Sequence, residues 1–411
     1  MRPLFPNLSR DTRRILYACF FAFFMNGTMT TMMGSLLPDM KLAYHLSDSQ
    51  SGLMLSGHSL GNLLACFLSG LVPLWLGRRR AIVTLSAAIS LGFLMTLLYG
   101  NPVWLIIAFV LTGVARGSIS NFNNATVNRV TGGSPSASNL LHSFFAMGAI
   151  SAPLLFLLAR SVGGWQAAVV LLVLLGLTVT LNFSHIQLED DRPDPADQAQ
   201  KSLIFLHNGS FWISGGMMFF YLCAEYAING WLVTYLQNKP ELLAQFTANG
   251  GMGIMAYSQT MATLLWLIIL VGRLASAALA RRLPQKLLMM VSSVGVALFF
   301  TLLLLSASLP LVTVAVAGLG FCMAGICPMI YSDASYITNL YPMGTSTLLA
   351  IGSVGAILMP ALVGFMADAY GFAWGMRSIL LGVGALLALS IWNYLRKPTP
   401  IASPVAAGAA Q

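Results

Sequence analysis

Long runs of apolar residues alternate with short polar segments along almost the whole chain. Each run is long enough to cross a hydrocarbon layer of ~30 Å as an α-helix. The pattern predicts twelve helices, at about 15–38, 48–75, 80–99, 102–128, 137–159, 165–184, 210–237, 254–280, 286–306, 309–337, 344–367 and 373–395. The predicted fold class is therefore an all-α membrane protein with twelve transmembrane helices.

The two halves of the chain repeat at a nearly fixed offset. The matching positions are Gly148 with Gly355, Pro153 with Pro360, Gly164 with Gly371, and Ser69 with Ser276. Helices 1 and 7 align at a smaller offset, which places Asn26 opposite Glu225. Six helices repeated in parallel orientation predict two six-helix bundles in pseudo-twofold relation, with a solute site between them at membrane mid-depth.

The longest polar stretch divides the halves. Residues 185–208 contain the acidic, proline-bearing segment EDDRPDPADQAQK, a composition typical of a linker. We therefore expect an N-terminal bundle over 1–184, a cytoplasmic linker over 185–208 and a C-terminal bundle over 209–411.

Composition and charge agree with a membrane protein. The chain has 57% hydrophobic and 8% charged residues, whereas a soluble domain has about 25% charged residues. The net charge of +9 does not indicate nucleic-acid binding, because the basic residues fall in short loops between apolar runs. Most of them lie on the side of the termini, which predicts cytoplasmic termini. We expect a multi-pass protein of a bacterial inner (plasma) membrane.

The sequence offers no sign of an enzyme. The five cysteines lie inside apolar runs without metal or disulfide spacing. No glycine-rich loop with a following lysine indicates ATP hydrolysis, and no paired carboxylates or nucleophile–base spacing stand out. We expect no cofactor and no metal, and as partners a small-molecule substrate, protons and the lipid bilayer.

A loop between the second and third helices carries a family resemblance. It reads GLVPLWLGRRR over Gly70–Arg80. This resembles the signature loop of the major facilitator superfamily, in which a glycine is followed by an acidic residue and then by Gly-Arg-Arg/Lys. Gly70, Gly77, Arg78 and Arg79 match that pattern, whereas Leu74 stands at the acidic position. The resemblance implies transport by alternating access through a central cavity lined by helices 1, 4, 7 and 10.

Two further stretches resemble one branch of that superfamily. LLHSFFAMGAISAPLL (Leu140–Leu155) and EYAINGWLVTYL (Glu225–Leu236) are similar to the fucose permease-like transporters, which take up sugars with protons. Members of that branch often carry a carboxylate in helix 1, where this chain has Asn26. The resemblance implies a proton-coupled transporter of a sugar or sugar derivative.

Glu225 is the leading candidate for proton coupling. It lies near the middle of the predicted seventh helix, where a carboxylate costs several kcal/mol unless it is protonated, paired or facing water. Asp333, in the cytoplasmic third of the tenth helix, is a second candidate. The alternatives are a protonated carboxyl bonded to a neighbouring helix for Glu225, and a gate salt bridge or a partly solvated helix end for Asp333.

Arg116 is the leading candidate for binding the solute. An unpaired guanidinium at the middle of helix 4 is costly, and its fork suits a carboxylate of the substrate or Glu225 itself. The alternative is a structural ion pair or hydrogen bonding to backbone carbonyl groups. The other substrate-binding candidates are polar or aromatic side chains on the cavity helices: Asn26, Asn121, Asn124, Asn128, Tyr226, Asn229, Trp231 and Tyr331. The asparagines could equally join helices to one another.

These observations predict a secondary active transporter that moves a small hydrophilic solute with protons. Two alternatives keep the fold and change the cargo: an organic anion held by Arg116, or amphipathic compounds that are exported. A third alternative is a membrane sensor that does not transport.

Overall fold

The predicted helices are present in the computed structural model, which describes residues 8–132, 134–186, 204–247, 252–338 and 342–396. The α-helices are α1 (Arg10–Ala43), α2 (Asp48–Leu76), α3 (Arg78–Leu98), α4 (Pro102–Val130), α5 (Pro135–His185), α6 (Gly209–Gln237), α7 (Pro240–Thr247), α8 (Met252–Leu279), α9 (Gln285–Leu305), α10 (Leu309–Met323), α11 (Ile326–Thr338), α12 (Pro342–Tyr370) and α13 (Phe372–Leu395). A short 3₁₀ helix, Ile204–His207, precedes α6.

Local signals fix where these helices begin and end. The Ser47 and Gln50 side chains form a capping box at the start of α2. Asn101 caps α4, with Pro102 in the first turn, where a missing N–H costs little. Gly77 joins α2 to α3 with φ = 75°, a conformation that favours glycine.

Two helices depart from the prediction that each apolar run forms one helix. The 51-residue α5 contains two predicted helices, because it turns at Gly163 and Gly164 (φ = 70° at Gly164) without a polar loop. The predicted tenth helix is interrupted between α10 and α11. Pro328 explains that interruption, since it lacks the N–H that would bond to the Ala324 carbonyl group.

The number of membrane crossings agrees with the sequence. Among the described residues, eleven helical segments are long and apolar enough to cross a membrane, with α10 and α11 counted as one. The bent α5 supplies two crossings, which brings the total within the described ranges to twelve. Both ends of the described helices therefore lie at one membrane face, which we call the terminal face; the opposite face is the distal face.

The internal repeat is visible in the packing of the two bundles, α1–α5 and α6–α13. Gly148 of α5 approaches the Phe24 carbonyl of α1 so closely that a Cβ would overlap it. Gly355 of α12 approaches the Phe219 carbonyl of α6 in the same way. The two bundles thus share one packing scheme in pseudo-twofold relation, as predicted. Most of the predicted linker, residues 187–203, lies outside the described residues.

Candidate solute-binding cavity

A cavity of about 450 Å³ lies between the two bundles, lined from the middle parts of their membrane-spanning helices. The first bundle lines it from α1, α2, α4 and α5, and the second from α6, α8, α11 and α12. A second cavity of about 450 Å³ shares Cys66, Asn121 and Leu349 with the first and reaches Arg78 near the terminal face. The space between the bundles therefore continues toward the terminal face.

Direct contacts between the bundles close the opposite end. The Ser56 hydroxyl donates to the Ile357 carbonyl at 2.5 Å, and the Gln259 amide donates to the Ser35 carbonyl at 3.2 Å. The Asp368 carboxylate accepts from the Asp48 and Ser49 backbone N–H groups, each at 2.9 Å. These residues lie in the distal parts of their helices, except Ile357 at the middle of α12, so the cavity is closed toward the distal face.

Glu225 lines the cavity from the middle of α6. The Tyr221 hydroxyl lies beside its carboxyl group, and Coulombic interaction reaches it from Arg273 and, more weakly, from Arg116. In the part of the chain that the structure describes, no ion pair within 4.0 Å includes Glu225. The predicted direct Arg116–Glu225 pair is therefore absent from this arrangement, although both residues line the same cavity.

Arg116 is held from two sides in the first bundle. Its Nε donates to the Thr30 hydroxyl and its Nη1 to the Asn62 amide oxygen, both at 2.9 Å. Its guanidinium group also lies 5.9 Å from the centre of the Tyr226 ring, a distance that allows a cation–π contact across the two bundles. These contacts fix the position of the guanidinium group, and Nη2 takes part in neither of the two hydrogen bonds.

Arg273 of α8 is a cavity residue that sequence reasoning missed. It faces the cavity, and its buried Nε has no hydrogen-bond partner among the described residues. The available signal was the one used for Arg116: a lone arginine inside an apolar helix. Such a residue is rare unless it faces an aqueous or functional site.

Most of the predicted site residues meet in this cavity. The structure brings together Glu225, Arg116, Asn121, Asn124, Tyr226, Asn229 and Tyr331. The break between α10 and α11 lies next to the site, and Tyr331 and Cys327 of α11 line the cavity just beyond it. His58 also lines it; its Nδ1 lies 3.0 Å from the Thr112 hydroxyl, while its buried Nε2 has no partner in the described structure.

The prediction that Asn26 faces the solute is wrong. Asn26 is fully buried, and its amide donates to the Arg116 carbonyl at 3.1 Å. The Tyr221 hydroxyl makes the equivalent bond in the second bundle, to the Met323 carbonyl at 3.2 Å. Tyr221, and not Glu225, is therefore the counterpart of Asn26. The sequence alignment of the two helices had slipped by one turn.

Trp231 and Asp333 also point away from the cavity. Trp231 is about 120° around α6 from Glu225, where its indole N–H donates to the Pro360 carbonyl at 3.1 Å. Asp333 accepts from the Asn393 amide at 3.0 Å, on the side of α11 that faces α13. In this arrangement both side chains bond within the second bundle and lie outside the cavity lining, and their predicted roles in solute binding and proton coupling stay predictions.

Asn128 shares a helix face with Asn121 but lies outside the cavity. Two further turns of α4 carry it toward the terminal face, where it is exposed to solvent. The predicted stripe of three asparagines therefore contributes two side chains to the site. Asn121 also donates to the Ser69 hydroxyl at 3.3 Å, which links α4 to α2.

The signature loop lies at the terminal face, away from the central cavity. Arg79 donates to the Ser184 carbonyl at 2.5 Å and so joins the start of α3 to the end of α5. Arg78 and Gly70 line the second cavity, and a Cβ at Gly70 would meet nothing within 4 Å. The loop thus borders the open end of the inter-bundle space.

Two bundles of six crossings around a cavity that several polar side chains face define a multi-pass membrane transporter with a small-molecule substrate. A family model, the Major Facilitator Superfamily, matches residues 19–336. The chain belongs to this superfamily, whose members are transporters and not enzymes.

Individual relatives are distant but extend over almost the full chain. The membrane protein MosC of Rhizobium meliloti is 23% identical, over 90% of this chain and 87% of the relative. A gallate transporter of Pseudomonas putida is 24% identical, over 91% and 89%. The crystal structure of the nucleoside transporter NupG is similar in fold, with a TM-score of 0.71, 15% identity, and coverage of 95% of this chain and all of that one.

Proposed function

We propose that the protein is a secondary active transporter that moves a small hydrophilic solute together with protons by alternating access. The observation that supports this most directly is Glu225, an ionisable side chain at mid-membrane depth that lines a cavity shared by both bundles. An intramembrane carboxylate facing such a cavity is typical of proton pathways in transporters. The closed distal end and the open terminal end correspond to one of the two states that alternating access requires.

The lining suits a solute with hydroxyl groups, such as a sugar or sugar derivative. Asn121, Asn124 and Asn229 line the cavity with amide oxygens that can accept, while each amide nitrogen uses one of its two N–H groups within its own bundle. Tyr226 and Tyr331 add phenol groups. The gallate transporter among the relatives is named for a hydroxylated carboxylate, which favours a second candidate, an organic anion. Two arginines on the cavity wall support this second candidate.

The proposed location is a bacterial inner membrane with cytoplasmic termini, following the excess of basic residues on the terminal face. In that orientation the cavity opens to the cytoplasm. The described structure would then represent the state that releases solute into the cell during import.

The test uses purified full-length protein. Sugars, sugar acids and other carboxylates are first compared by thermal shift, and stabilising compounds are then measured for uptake into liposomes with an imposed pH gradient. Glu225→Gln should abolish accumulation driven by the gradient, while exchange of solute across the membrane continues. Glu241→Gln is the control, because Glu241 is exposed on the distal helix α7 and outside the cavity. Gradient-driven uptake that is unchanged in Glu225→Gln would contradict the proposal.

A further inference from the structure

The charges that face the cavity are not balanced. Its titratable side chains from all lining helices are His58 and Cys66 of α2, Arg116 of α4, His142 of α5, Glu225 and Tyr226 of α6, Arg273 of α8, and Cys327 and Tyr331 of α11. With neutral histidines, two guanidinium groups face one carboxyl group. A buried cation without a counter-ion is costly, so the cavity is suited to an additional negative charge.

We infer that the solute carries a carboxylate, which binds between Arg273 of the second bundle and Arg116 of the first. This inference rests on the proposed transport function and specifies its substrate class. The carboxylate is the shared feature; the remainder of the solute carries the hydroxyl groups that the asparagines of the cavity recognise.

Arg273 differs from Arg116 in its hydrogen bonding, because its buried Nε has no hydrogen-bond partner among the described residues. Arg116 already donates from Nε and Nη1, whereas the Arg273 guanidinium makes no hydrogen bond or ion pair within the described residues. A planar fork with unused donors matches the geometry of a carboxylate. Arg273 is therefore the group whose bonding is completed by the solute.

Glu225 shows where the solute carboxylate fits. Glu225, Arg116 and Arg273 line the same cavity, so a solute carboxylate bound beside Glu225 shares that space with both guanidinium groups. Because the two arginines belong to different bundles, the bound anion joins the bundles at the centre of the cavity.

The repeat argues against a purely structural role for either arginine. At the offset of the matched glycines, Arg116 corresponds to Met323 and Arg273 corresponds to Cys66. The same packing scheme therefore forms at both positions without a charge. The positive charges are an addition to the shared scaffold, placed on the cavity wall of each bundle.

This arrangement also explains how a proton and an anion can travel together. An ionised Glu225 competes with the solute for Arg273, since both are carboxylates acting on the same cation. A proton on Glu225 removes that competition and leaves Arg273 available to the solute. Protonated Glu225 and the bound anion are then favoured in the same state.

The test compares matched pairs that differ only in the carboxylate: benzoate with benzamide, 4-hydroxybenzoate with 4-hydroxybenzamide, and glucuronate with glucose. Binding to the purified full-length protein is measured by calorimetry and thermal shift, up to millimolar concentrations. We expect the carboxylate of at least one pair to bind and its neutral partner to bind at least tenfold more weakly. Equal binding within the pairs, or binding by no carboxylate, overturns the inference.

Variants then assign the effect to Arg273. Arg273→Gln should weaken carboxylate binding by about 30-fold, and Arg273→Lys should restore part of it, because a point charge remains. Arg377→Gln is the matched control, since Arg377 is exposed on α13, where it lies against Trp374. The carboxylate affinity of this variant should equal that of the wild type. Unchanged carboxylate affinity in Arg273→Gln also overturns the inference.

The outcomes separate this inference from the proposed function. If a neutral sugar accumulates with protons and this accumulation depends on Glu225, the proposed coupled transport is supported and the carboxylate site is contradicted. If carboxylates bind through Arg273 but Glu225→Gln leaves gradient-driven uptake intact, the carboxylate site is supported and the role of Glu225 in proton coupling is contradicted.

Discussion

The two ends of the inter-bundle interface are built differently. In the distal half, backbones meet directly: a Cβ at Gly52 of α2 would lie 2.5 Å from the Pro360 carbonyl oxygen of α12, and Gly34 and Gly364 make similar contacts. In the terminal half of the same helix α2, a Cβ at Gly70 would meet nothing within 4 Å. One helix therefore contributes a tight seal at one end and an open wall at the other.

This difference shows what a switch to the opposite state would require. Opening the distal end breaks five described hydrogen bonds between the bundles and separates glycines from backbone atoms, but no described salt bridge joins the bundles there. A net intramolecular hydrogen bond contributes only about 0.5–1.5 kcal/mol. Because no ion pair between the bundles has to be broken, the distal seal can open, and another seal can form elsewhere, without the large free-energy barrier that separating buried charges would impose.

The largest effect is expected from filling one of the close glycine contacts of the distal seal. Gly52→Val places a branched side chain against the Pro360 carbonyl and Ala361, and overpacking of this kind costs about 1–3 kcal/mol. The variant should shift the protein toward a state open at the distal face and lower transport. The measurement is labelling of Cys66, an exposed cavity cysteine, by an impermeant maleimide added at the distal face, with the other four cysteines replaced by alanine.

Gly70→Val provides the control for that experiment. It adds the same side chain to the same helix, where the structure leaves space. Labelling of Cys66 from the distal face should stay at the wild-type rate. If both variants behave alike, the seal at Gly52 does not determine which end is closed.

The helices that form this interface could be predicted from the sequence, because their signals are local. The apolar run at 48–75 became α2 (Asp48–Leu76), and the run at 210–237 became α6 (Gly209–Gln237). Hydrophobic length and capping residues decide such boundaries. The matching glycines and prolines of the repeat likewise identified two similar bundles, since close helix packing demands small residues at fixed positions.

The site was harder to predict because it depends on rotation and register. Glu225 and Trp231 lie six residues apart, and only the packing of α6 decides that the first faces water and the second faces Pro360. Asn26 was misplaced because apolar helices align almost equally well after a slip of one turn. Arg273 was recognisable as an intramembrane arginine, but its direction follows from how α8 packs against the broken helix at Ala324.

A smaller effect is expected from Asp368, which caps the start of α2 from the other bundle. Its carboxylate accepts from Asp48 N–H and from both the N–H and hydroxyl of Ser49. Helix caps contribute about 0.5–2 kcal/mol, and solvent exposure places this one at the low end. Asp368→Asn should therefore raise distal labelling of Cys66 by about two- to fivefold.

Asp39→Asn is the matched control for Asp368. Asp39 pairs with Arg160 at 2.6 Å, also near the distal face, but both residues belong to the first bundle. Its loss should lower the melting temperature without favouring distal labelling. An equal rise in labelling for both variants would mean that general loosening, and not the inter-bundle cap, opens the distal end.

The smallest effect is expected from Ser56→Ala. The Ser56 hydroxyl donates across the interface to the Ile357 carbonyl, which can still bond within α12, so its removal leaves no buried group without a partner. We expect a loss of about 0.5–1 kcal/mol from the closed distal state and a correspondingly small rise in Cys66 labelling. Ser59→Ala is the control, because the Ser59 hydroxyl bonds within α2 to the Leu55 carbonyl at 3.5 Å. A larger response from Ser59 than from Ser56 would show that α2 itself, rather than its contact with α12, limits opening.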